Sequence, residues 1–384
     1  MSKPTLRTKL CDTMGIDYPI ISAGMGPSML GEATGATVDL AVAVSEAGGL
    51  GVLGAAGYSV DEMQEAIREV KKRTDKPFGV DILLPAAQVA AGDAPARTES
   101  VSLMHALKSL PKEHVDWFLR IKEEHALPEL ELKIEGGSTT SRPRASIKVI
   151  LEEKVPLFCA GLGNPGFMVD DARAAGVKVL GLTGNTKNAR RVAESGADFV
   201  VAQGHEAGGH TGRIGTMALL PQALDAVGST PLIAAGGIGD GRALAACLAM
   251  GCVGVWVGTR FLACKESGLV DEQREFILNA DDESTRRSYL YTGKTSRTIY
   301  SKVHDLWEES GLEALPFPAQ NLLASAVIAS FHKAGKYEYV GPFSGQVSGL
   351  IDRVQPAGEV VAEMVEEAVE ILARRLPETV IAKA

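Results

Sequence analysis

Residues 231–259 read PLIAAGGIGDGRALAACLAMGCVGVWVGT, and their pattern indicates the fold of this chain. It begins with a short apolar run that ends in two glycines, continues with a helical pattern after Asp240, and closes with a second apolar run. Neither run alternates apolar with polar residues, which is typical of parallel strands buried on both faces. The segment therefore predicts a strand–helix–strand unit in which Asp240 caps the helix and Gly251 ends it.

The same unit recurs along residues 1–262. Apolar runs that we assign to parallel strands lie at 18–24, 49–55, 78–84, 155–161, 178–184, 198–204, 231–237 and 253–259. Helical patterns separate the runs, and eight strand–helix units are the number that closes a (β/α)8 TIM barrel. An open doubly wound sheet is the alternative, but no GxGxxG pattern follows the first run. We therefore expect an α/β fold with a TIM barrel over residues 1–262.

Two segments fall outside this repeat. An insertion at about 86–144 follows the third strand, so it should lie at the barrel mouth as a lid or an oligomer contact. Residues 263–384 follow the eighth strand as a mainly helical C-terminal extension that packs on the barrel. The extension ends in VVAEMVEEAVEILARRL, an amphipathic pattern that predicts a helix along the barrel flank. The same helix could pair with a second copy of the chain, which would give a homodimer.

Composition restricts the class of function. The 384 residues carry a formal net charge of −9 and no basic stripe, which argues against nucleic-acid and membrane-surface partners. The five cysteines form no CxxC pair, the N-terminus lacks an apolar signal segment, and no apolar run reaches the ~18 residues of a membrane helix. We expect a cytoplasmic protein that acts on a small molecule.

The chemistry of a TIM barrel lies at the carboxyl ends of its strands. Glycines cluster at those ends here, and glycine lets the backbone approach a ligand closely. The loops after the seventh and eighth strands frequently bind phosphate in such barrels. The sequence therefore predicts a phosphate site formed by backbone groups of Gly236, Gly237, Gly258 and Thr259.

The stretch AQGHEAGGHTG, residues 202–212, places two histidines after the sixth strand. Zinc sites of the H-E-x-x-H kind need both rings on one face of a helix, whereas the spacing here is H-E-x-x-x-H and the intervening glycines preclude a regular helix. We therefore expect no metal. His210 follows two glycines at the mouth, where an imidazole can move a proton, and His205 is expected to support it.

These residues carry a resemblance to a known family. The stretches QGHEAGGHTG, TMALLPQALDAV and AAGGIGDGRALAACLAMGCVGVWVGTRFLA look like the nitronate monooxygenase family. They also resemble the FMN-dependent enoyl-acyl-carrier-protein reductases and NADH:quinone reductases of the same superfamily. PIISAGMG, KPFGVDILLP, TGKTSRTIYSK and SGQVSGLI extend the similarity over nearly the whole chain outside the insertion.

The resemblance implies that FMN binds in the barrel, with its phosphate at the site already predicted. The family's catalytic histidine is the one in the GGH signature, which is His210 here. The backbone of residues 23–25 would lie against the isoalloxazine, and Gln203 would bond the ribityl chain or the ring edge. The cofactor-binding residues that the resemblance implies are Ala23, Gly24, Met25, Asp81, Gln203, Gly204, Gly208, Gly236, Gly237, Gly258 and Thr259.

Two positions depart from the family pattern. The family usually has Asn in GVNL, where this chain has Asp81, and an amide can donate to the cofactor whereas a carboxylate cannot. Some relatives have a lysine after the fifth strand, where this chain has Leu182 or Thr183. Less positive charge near the ring should lower the flavin potential.

Several functions are compatible with these features. The leading hypothesis is an FMN-dependent oxidoreductase of nitronate monooxygenase type, which oxidises alkyl nitronates with O2 to a carbonyl compound and nitrite. The second is a flavin reductase that uses NAD(P)H to reduce an enoyl or acyl thioester or a quinone. An enzyme like the inosine-monophosphate dehydrogenases would need a loop cysteine, whereas Cys159 lies in a predicted strand and Cys264 lies past the eighth. A non-enzymatic flavin- or phosphate-binding module would make His210 dispensable.

Overall fold

The structure is a computed structural model that describes residues 4–26, 35–85, 89–90, 101–130, 133–134 and 143–380. An eight-stranded parallel sheet lies at its centre. The strands are β1 (Ile20–Ser22), β2 (Gly51–Gly54), β3 (Phe78–Leu83), β4 (Leu157–Leu162), β5 (Lys178–Thr183), β6 (Phe199–Gln203), β7 (Leu232–Ala235) and β8 (Gly254–Val257). All of them were predicted, and every observed strand end lies within two residues of the predicted one.

The sheet curves into a barrel. Its hydrogen-bonding order is β1–β8–β7–β6–β5–β4–β3–β2, and a parallel bridge between Ile21 and Leu50 joins the two end strands. In this bridge the Leu50 amide donates to the Ile20 carbonyl over 2.9 Å, and the Ser22 amide donates to the Leu50 carbonyl over 3.0 Å. The predicted TIM barrel is therefore confirmed.

The barrel interior is a packed core. Side chains on each strand alternate between inside and outside, and the inside is filled by aliphatic residues together with Phe199 and Trp256. At the amino ends of the strands, helix Lys9–Met14 adds Leu10 and Cys11 to this interior cluster. The packed interior leaves ligand binding to the carboxyl ends of the strands.

Helices surround the barrel. They are α1 (Val38–Glu46), α2 (Val60–Arg73), α3 (Pro143–Glu152), α4 (Val169–Ala175), α5 (Thr186–Glu194), α6 (Thr216–Val227), α7 (Gly241–Ala249) and α8 (Ala357–Glu370). Their apolar faces and the outward faces of the strands form one hydrophobic cluster around the barrel. Asp240 caps α7 as predicted, because its carboxylate accepts from the Arg242 and Ala243 amides over 3.0 and 3.2 Å.

The last barrel helix, α8, comes from the end of the extension and lies between α7 and α1. The Gly241 amide of α7 donates to Glu367 Oε2 over 2.8 Å. The apolar face of α8 joins the cluster around the barrel through Val360, Val361, Met364, Val365 and Ala368. That face is buried within the chain, so it is not open to a second copy, and a homodimer stays a prediction.

The insertion and the extension fold together. Helices Leu103–Leu107 and Lys112–Glu124 of the insertion pack with helix Ala319–Lys333 of the extension. We call their shared interior the accessory core; its buried residues are Leu103, Leu107, Trp117, Phe118, Ile121, Leu127, Leu290, Tyr291, Val303, Leu323, Ala326, Val327, Ile328, Phe331 and Val340. Two segments far apart in sequence therefore build one hydrophobic unit beside the barrel.

The extension also supplies two antiparallel strands, Thr285–Ser288 and Ser296–Ile299. The other short elements are Val101–Ser102 paired with Lys133–Ile134, strand Gly209–His210, and helices Pro165–Met168, Thr259–Leu262, Asp271–Leu278, Val303–Ser310, Tyr337–Tyr339, Gln346–Leu350, Ile371–Arg375 and Leu376–Thr379. Residues 86–88, 91–100, 131–132 and 135–142 of the insertion predicted at about 86–144 lie outside the described residues, and its role as a lid or an oligomer contact stays a prediction. In the described part of the chain, no helix combines the length and apolarity needed to cross a bilayer.

Candidate active site

The register of the strands brings the predicted site residues to one mouth. Gln203 at the end of β6 is level with Ala235 of β7, which is itself level with Trp256 of β8. On the other side of β8, Val257 is level with Ser22 of β1. The residues that follow these strands, 23–25, 236–237 and 258–259, therefore emerge side by side.

Glycines keep the floor of this mouth flat. An ideal Cβ on Gly24 would lie 2.2 Å from the Asp81 Cβ, and one on Gly161 would lie 2.7 Å from Asp81 Oδ1. A Cβ on Gly54 would lie 2.5 Å from the carbonyl carbon of Met25. A side chain at Gly24 or Gly161 would displace Asp81, and one at Gly54 would displace the backbone at Met25, so glycine lets these strand ends pack closely together.

Asp81 is a buried acid that pairs with no basic side chain in the part of the chain that the structure describes. Its side chain points inward from β3, only 6% of the residue is exposed, and Oδ1 has no hydrogen-bond partner among the described residues. Burial raises the pKa of Asp81 well above its usual value, and the Gly161 amide offsets this only in part. The thiol of Cys159, which is level with Asp81 on the neighbouring strand β4, also has a raised pKa, first because it is buried and second because Asp81 is near.

The loops after β7 and β8 carry the residues predicted to bind phosphate. Gly236 and Gly237 have φ values of 86° and 74°, a region that favours glycine. A Cβ on Gly236 would lie 2.8 Å from the Gly204 carbonyl oxygen. Thr259 begins a short helix, and its hydroxyl accepts from the Gly345 amide over 2.8 Å. The structure therefore brings these four residues together, and their binding of phosphate stays a prediction.

The first histidine of the β6 loop is held by Arg297. The Arg297 guanidinium donates from Nε and Nη2 to the His205 carbonyl over 3.1 and 3.0 Å, and its Nη2 lies 3.4 Å from His205 Nδ1. The adjacent Glu206 accepts from the Thr216 amide over 2.9 Å and from the Thr216 hydroxyl over 3.0 Å, which secures the start of α6. These contacts fix the backbone and ring of His205, whereas its support of His210 stays a prediction.

The second histidine is fixed from three sides. Strand Gly209–His210 pairs antiparallel with the extension, and His210 lies opposite Ser296. The Gln203 side-chain amide donates to the His210 carbonyl over 2.8 Å. His210 Nε2 lies 2.9 Å from Thr292 Oγ1. The ring therefore has a defined orientation at the mouth although it lies in a glycine-rich loop.

The His210 imidazole is neutral near neutral pH. Its pKa is lowered to about 4, first because the ring is buried and second because Lys294 carries a like charge nearby. A neutral imidazole can accept a proton from a substrate or donate one hydrogen bond to it. In the described ranges, no three His, Cys, Asp or Glu side chains are grouped as metal ligands.

The sequence profile of the nitronate monooxygenase family matches residues 7–367 of this chain. The chain belongs to the nitronate monooxygenase family. It is accordingly an oxidoreductase of that family, and the resemblance carried by the motifs is confirmed.

Individual relatives span the same length. A Mycobacterium tuberculosis protein provisionally named monooxygenase Rv1533 is 32% identical over 95% of this chain and 97% of its own. A Staphylococcus haemolyticus protein provisionally named nitronate monooxygenase is 29% identical over 95% of this chain and 98% of its own. Among solved structures, FabK from Thermotoga maritima has 30% identity and a TM-score of 0.74 over 98% of this chain and 100% of that chain. The nitroalkane oxidase from Streptomyces ansochromogenes has 28% identity and a TM-score of 0.74 over 94% of this chain and 98% of that chain.

The site of this family member includes residues that sequence reasoning gave no role. Thr292 and Arg297 reach the β6 loop from the extension, and Gly345 reaches Thr259. The signal that could have found them is the pair of family-like stretches TGKTSRTIYSK and SGQVSGLI, which contain these residues.

Two residues expected at the flavin also have structural roles. Gln203 holds His210, and a Cβ on Gly208 would lie 2.8 Å from the Ser344 backbone.

Some relatives have a lysine after the fifth strand, where this chain has Leu182 or Thr183. Leu182 packs with the barrel interior, whereas the Thr183 hydroxyl donates to the Val201 carbonyl.

Proposed function

We propose that this protein is an FMN-dependent nitronate monooxygenase, which oxidises alkyl nitronates with O2 to a carbonyl compound and nitrite in the cytoplasm. The observation that carries the proposal is a neutral histidine, His210, fixed at the rim of a glycine-floored barrel mouth in a member of this family. The substrate would be a small molecule that binds at this mouth, which the strand-end loops form.

The residues at the mouth fit FMN. The close-packed glycines at 24, 54 and 161 leave a floor on which a flat ring can lie, and the loops at 236–237 and 258–259 suit its phosphate. Ala23, Gly24, Met25, Asp81 and Gln203 would surround the ring, with Gly204 and Gly208 in the loop beside it. When bound, FMN would supply the redox chemistry, taking electrons from the nitronate and passing them to O2.

His210 would handle the proton and the charge of the substrate. Its Nε2 is engaged by Thr292, so we assign Nδ1 to the substrate. A neutral imidazole can remove the α-proton of a nitroalkane, or it can donate a hydrogen bond to a nitronate that is already anionic. The exposed ammonium group of Lys294 adds a positive charge near this position, which favours an anionic ligand.

The second candidate function is a flavin reductase that takes electrons from NAD(P)H and reduces an enoyl or acyl thioester or a quinone. It is favoured by the similarity to FabK from Thermotoga maritima, which extends over 98% of this chain. It is disfavoured by the low pKa of His210, because a group that is neutral near pH 7 is a poor proton donor to a reduced product.

Turnover distinguishes the two functions. Purified protein with FMN is incubated in air with propyl-2-nitronate, and nitrite, acetone and O2 are measured. We expect nitrite release that falls at least about 100-fold in His210→Asn while FMN content is unchanged. The matched control is His332→Asn, which makes the same change in helix Ala319–Lys333, one of the helices around the accessory core, and should leave nitrite release unchanged. Absence of nitrite together with FMN-dependent oxidation of NAD(P)H would overturn the proposal in favour of the reductase.

A further inference from the structure

Asp81 is an ionisable residue, and no other described side chain would compensate the negative charge of its ionised form. It lies on the inward face of β3, enclosed by the β1 end at Gly24 and the β4 end at Gly161. Both glycines are so close that a methyl group on either would overlap the carboxyl group or its Cβ. The space around Asp81 is therefore closed by backbone on two sides and lies directly under the mouth.

The groups that face Asp81 from its neighbouring strands carry no positive charge. Cys159 of β4 is the titratable side chain beside it, and the Gly161 amide is its compensating dipole. Among the described residues, no lysine, arginine or histidine forms an ion pair or a hydrogen bond with Asp81. An isolated buried carboxylate is so costly that such a group takes up a proton instead.

A protonated carboxyl group differs from a carboxylate in what it can bond. It presents one O–H donor as well as acceptor oxygens, whereas the ionised form only accepts. Its Oδ1 has no partner among the described residues and is covered by protein atoms, so the 6% of Asp81 that is exposed belongs to its other atoms. Of the two carboxyl oxygens, Oδ2 lies beside Gly24 at the end of β1, so we assign any bond to a ligand at the mouth to Oδ2.

We propose that Asp81 is a neutral carboxylic acid that donates a hydrogen bond to the flavin ring, acting as an amide side chain would at the same position. This inference rests on the proposed binding of FMN. The family pattern has Asn at this position, and an ionised Asp81 could not donate the hydrogen bond that an Asn side chain can. A protonated Asp81 can donate it. Asp81 is then a binding residue whose protonation state decides whether it can hold the cofactor.

Infrared spectroscopy of the holoprotein tests the protonation state directly. The difference spectrum between wild type and Asp81→Asn, recorded near neutral pH, should contain the C=O band of a protonated carboxyl group that shifts in D2O. The same subtraction with Asp225→Asn, an exposed aspartate of α6, should show a carboxylate band instead. A carboxylate band in the Asp81 difference would overturn the proposal.

FMN affinity tests the donor role. Asp81→Asn should bind FMN within about threefold of wild type, and Asp81→Ala about three- to tenfold more weakly, because only the alanine variant lacks a donor. As pH rises through the raised pKa of Asp81, wild type should lose FMN affinity and Asp81→Asn should not. Equal affinities of the asparagine and alanine variants would overturn the donor role.

These readouts are separable from the proposed reaction. FMN that binds with the expected dependence on Asp81 but gives no nitrite would overturn the monooxygenase activity and leave the Asp81 inference in place. A wild type that does not bind FMN would overturn both the donor role and the proposed function. The infrared spectrum of the apoprotein would still show whether the Asp81 carboxyl group is protonated.

Discussion

His210 Nε2 lies 2.9 Å from Thr292 Oγ1, and this contact ties the β6 loop of the barrel to the C-terminal extension. Thr292 is itself fixed, because its Oγ1 lies 3.3 Å from both the amide and the carbonyl of Lys294. The extension therefore sets which ring nitrogen of His210 faces the protein. Thr292 acts as a positioning residue, since its contact is with the histidine.

Removing the Thr292 hydroxyl should lower kcat with little change in KM. Thr292→Val keeps the shape but loses the hydrogen bond, so we expect a kcat about three- to tenfold lower, whereas Thr292→Ser should retain wild-type kcat. The nitrogen chemical shifts of His210 should show a mixed tautomer in the valine variant only. Equal kcat values for the valine and serine variants would show that the contact does not position the ring.

The pH dependence of kcat/KM should show no ionisation of His210 near neutrality. Its pKa is lowered to about 4, so the neutral ring is present above about pH 5 and is lost only as pH falls through the lowered value. With a substrate whose own ionisation is known, the remaining profile should be flat from about pH 5 to 8. An acid limb near pH 6.5 that disappears in His210→Asn would contradict this account.

Lys294→Met should raise the pKa of His210, because it removes the like charge that disfavours the imidazolium. Burial is the larger cause of the shift, so the pKa should rise above about 4 and remain below 6.5. Titration of the His210 ring signals by NMR measures this, with Lys72→Met on the exposed face of α2 as the control. An unchanged pKa would mean that Lys294 does not act on the ring.

Gly258→Ala should weaken FMN binding without destabilising the fold. A Cβ at this position would lie 3.4 Å from Ala23 Cβ and 3.6 Å from Met25 Sδ, which is ordinary contact, so the protein can accommodate it. The methyl group would instead take space at the mouth, and we expect at least about tenfold weaker binding. Gly358→Ala in α8, with Ala47 Cβ at 3.7 Å, is the control. Unchanged FMN affinity in Gly258→Ala would place the cofactor elsewhere.

Met364→Ala should destabilise the barrel, although residue 364 is more than a hundred positions beyond β8, the last barrel strand. Met364 is 2% exposed in the cluster around the barrel, and truncating such a side chain costs about 2–4 kcal/mol of unfolding free energy. Denaturant unfolding measures this, and the exposed Glu366→Ala should change stability by less than about 0.5 kcal/mol. A small effect of Met364→Ala would mean that α8 is peripheral.

The barrel could be predicted because its signals are local. Each strand is an apolar run of a few residues, and Asp240 directly precedes the helix that it caps. Each of these elements can therefore be assigned from residues that are adjacent in sequence. The phosphate loops could be placed for the same reason, since they follow two recognisable strands.

The rest depended on contacts between distant segments. Nothing in the pattern around Trp117 indicates that it packs beside Leu306 and Trp307 of the extension. The pairing of His210 with Ser296 is likewise set by how the extension folds back. Burial of Asp81 could not be inferred from its own strand, because it results from glycines on two other strands.

The absorbance of the bound flavin under anaerobic conditions, after rapid mixing with propyl-2-nitronate or, separately, with NADH or NADPH, distinguishes a nitronate monooxygenase from a flavin reductase. We expect the nitronate to bleach the flavin, neither pyridine nucleotide to do so at a comparable rate, and His210→Asn to slow the bleaching by nitronate. Rapid bleaching by NADH or NADPH with no response to the nitronate would contradict the account and make this protein a flavin reductase.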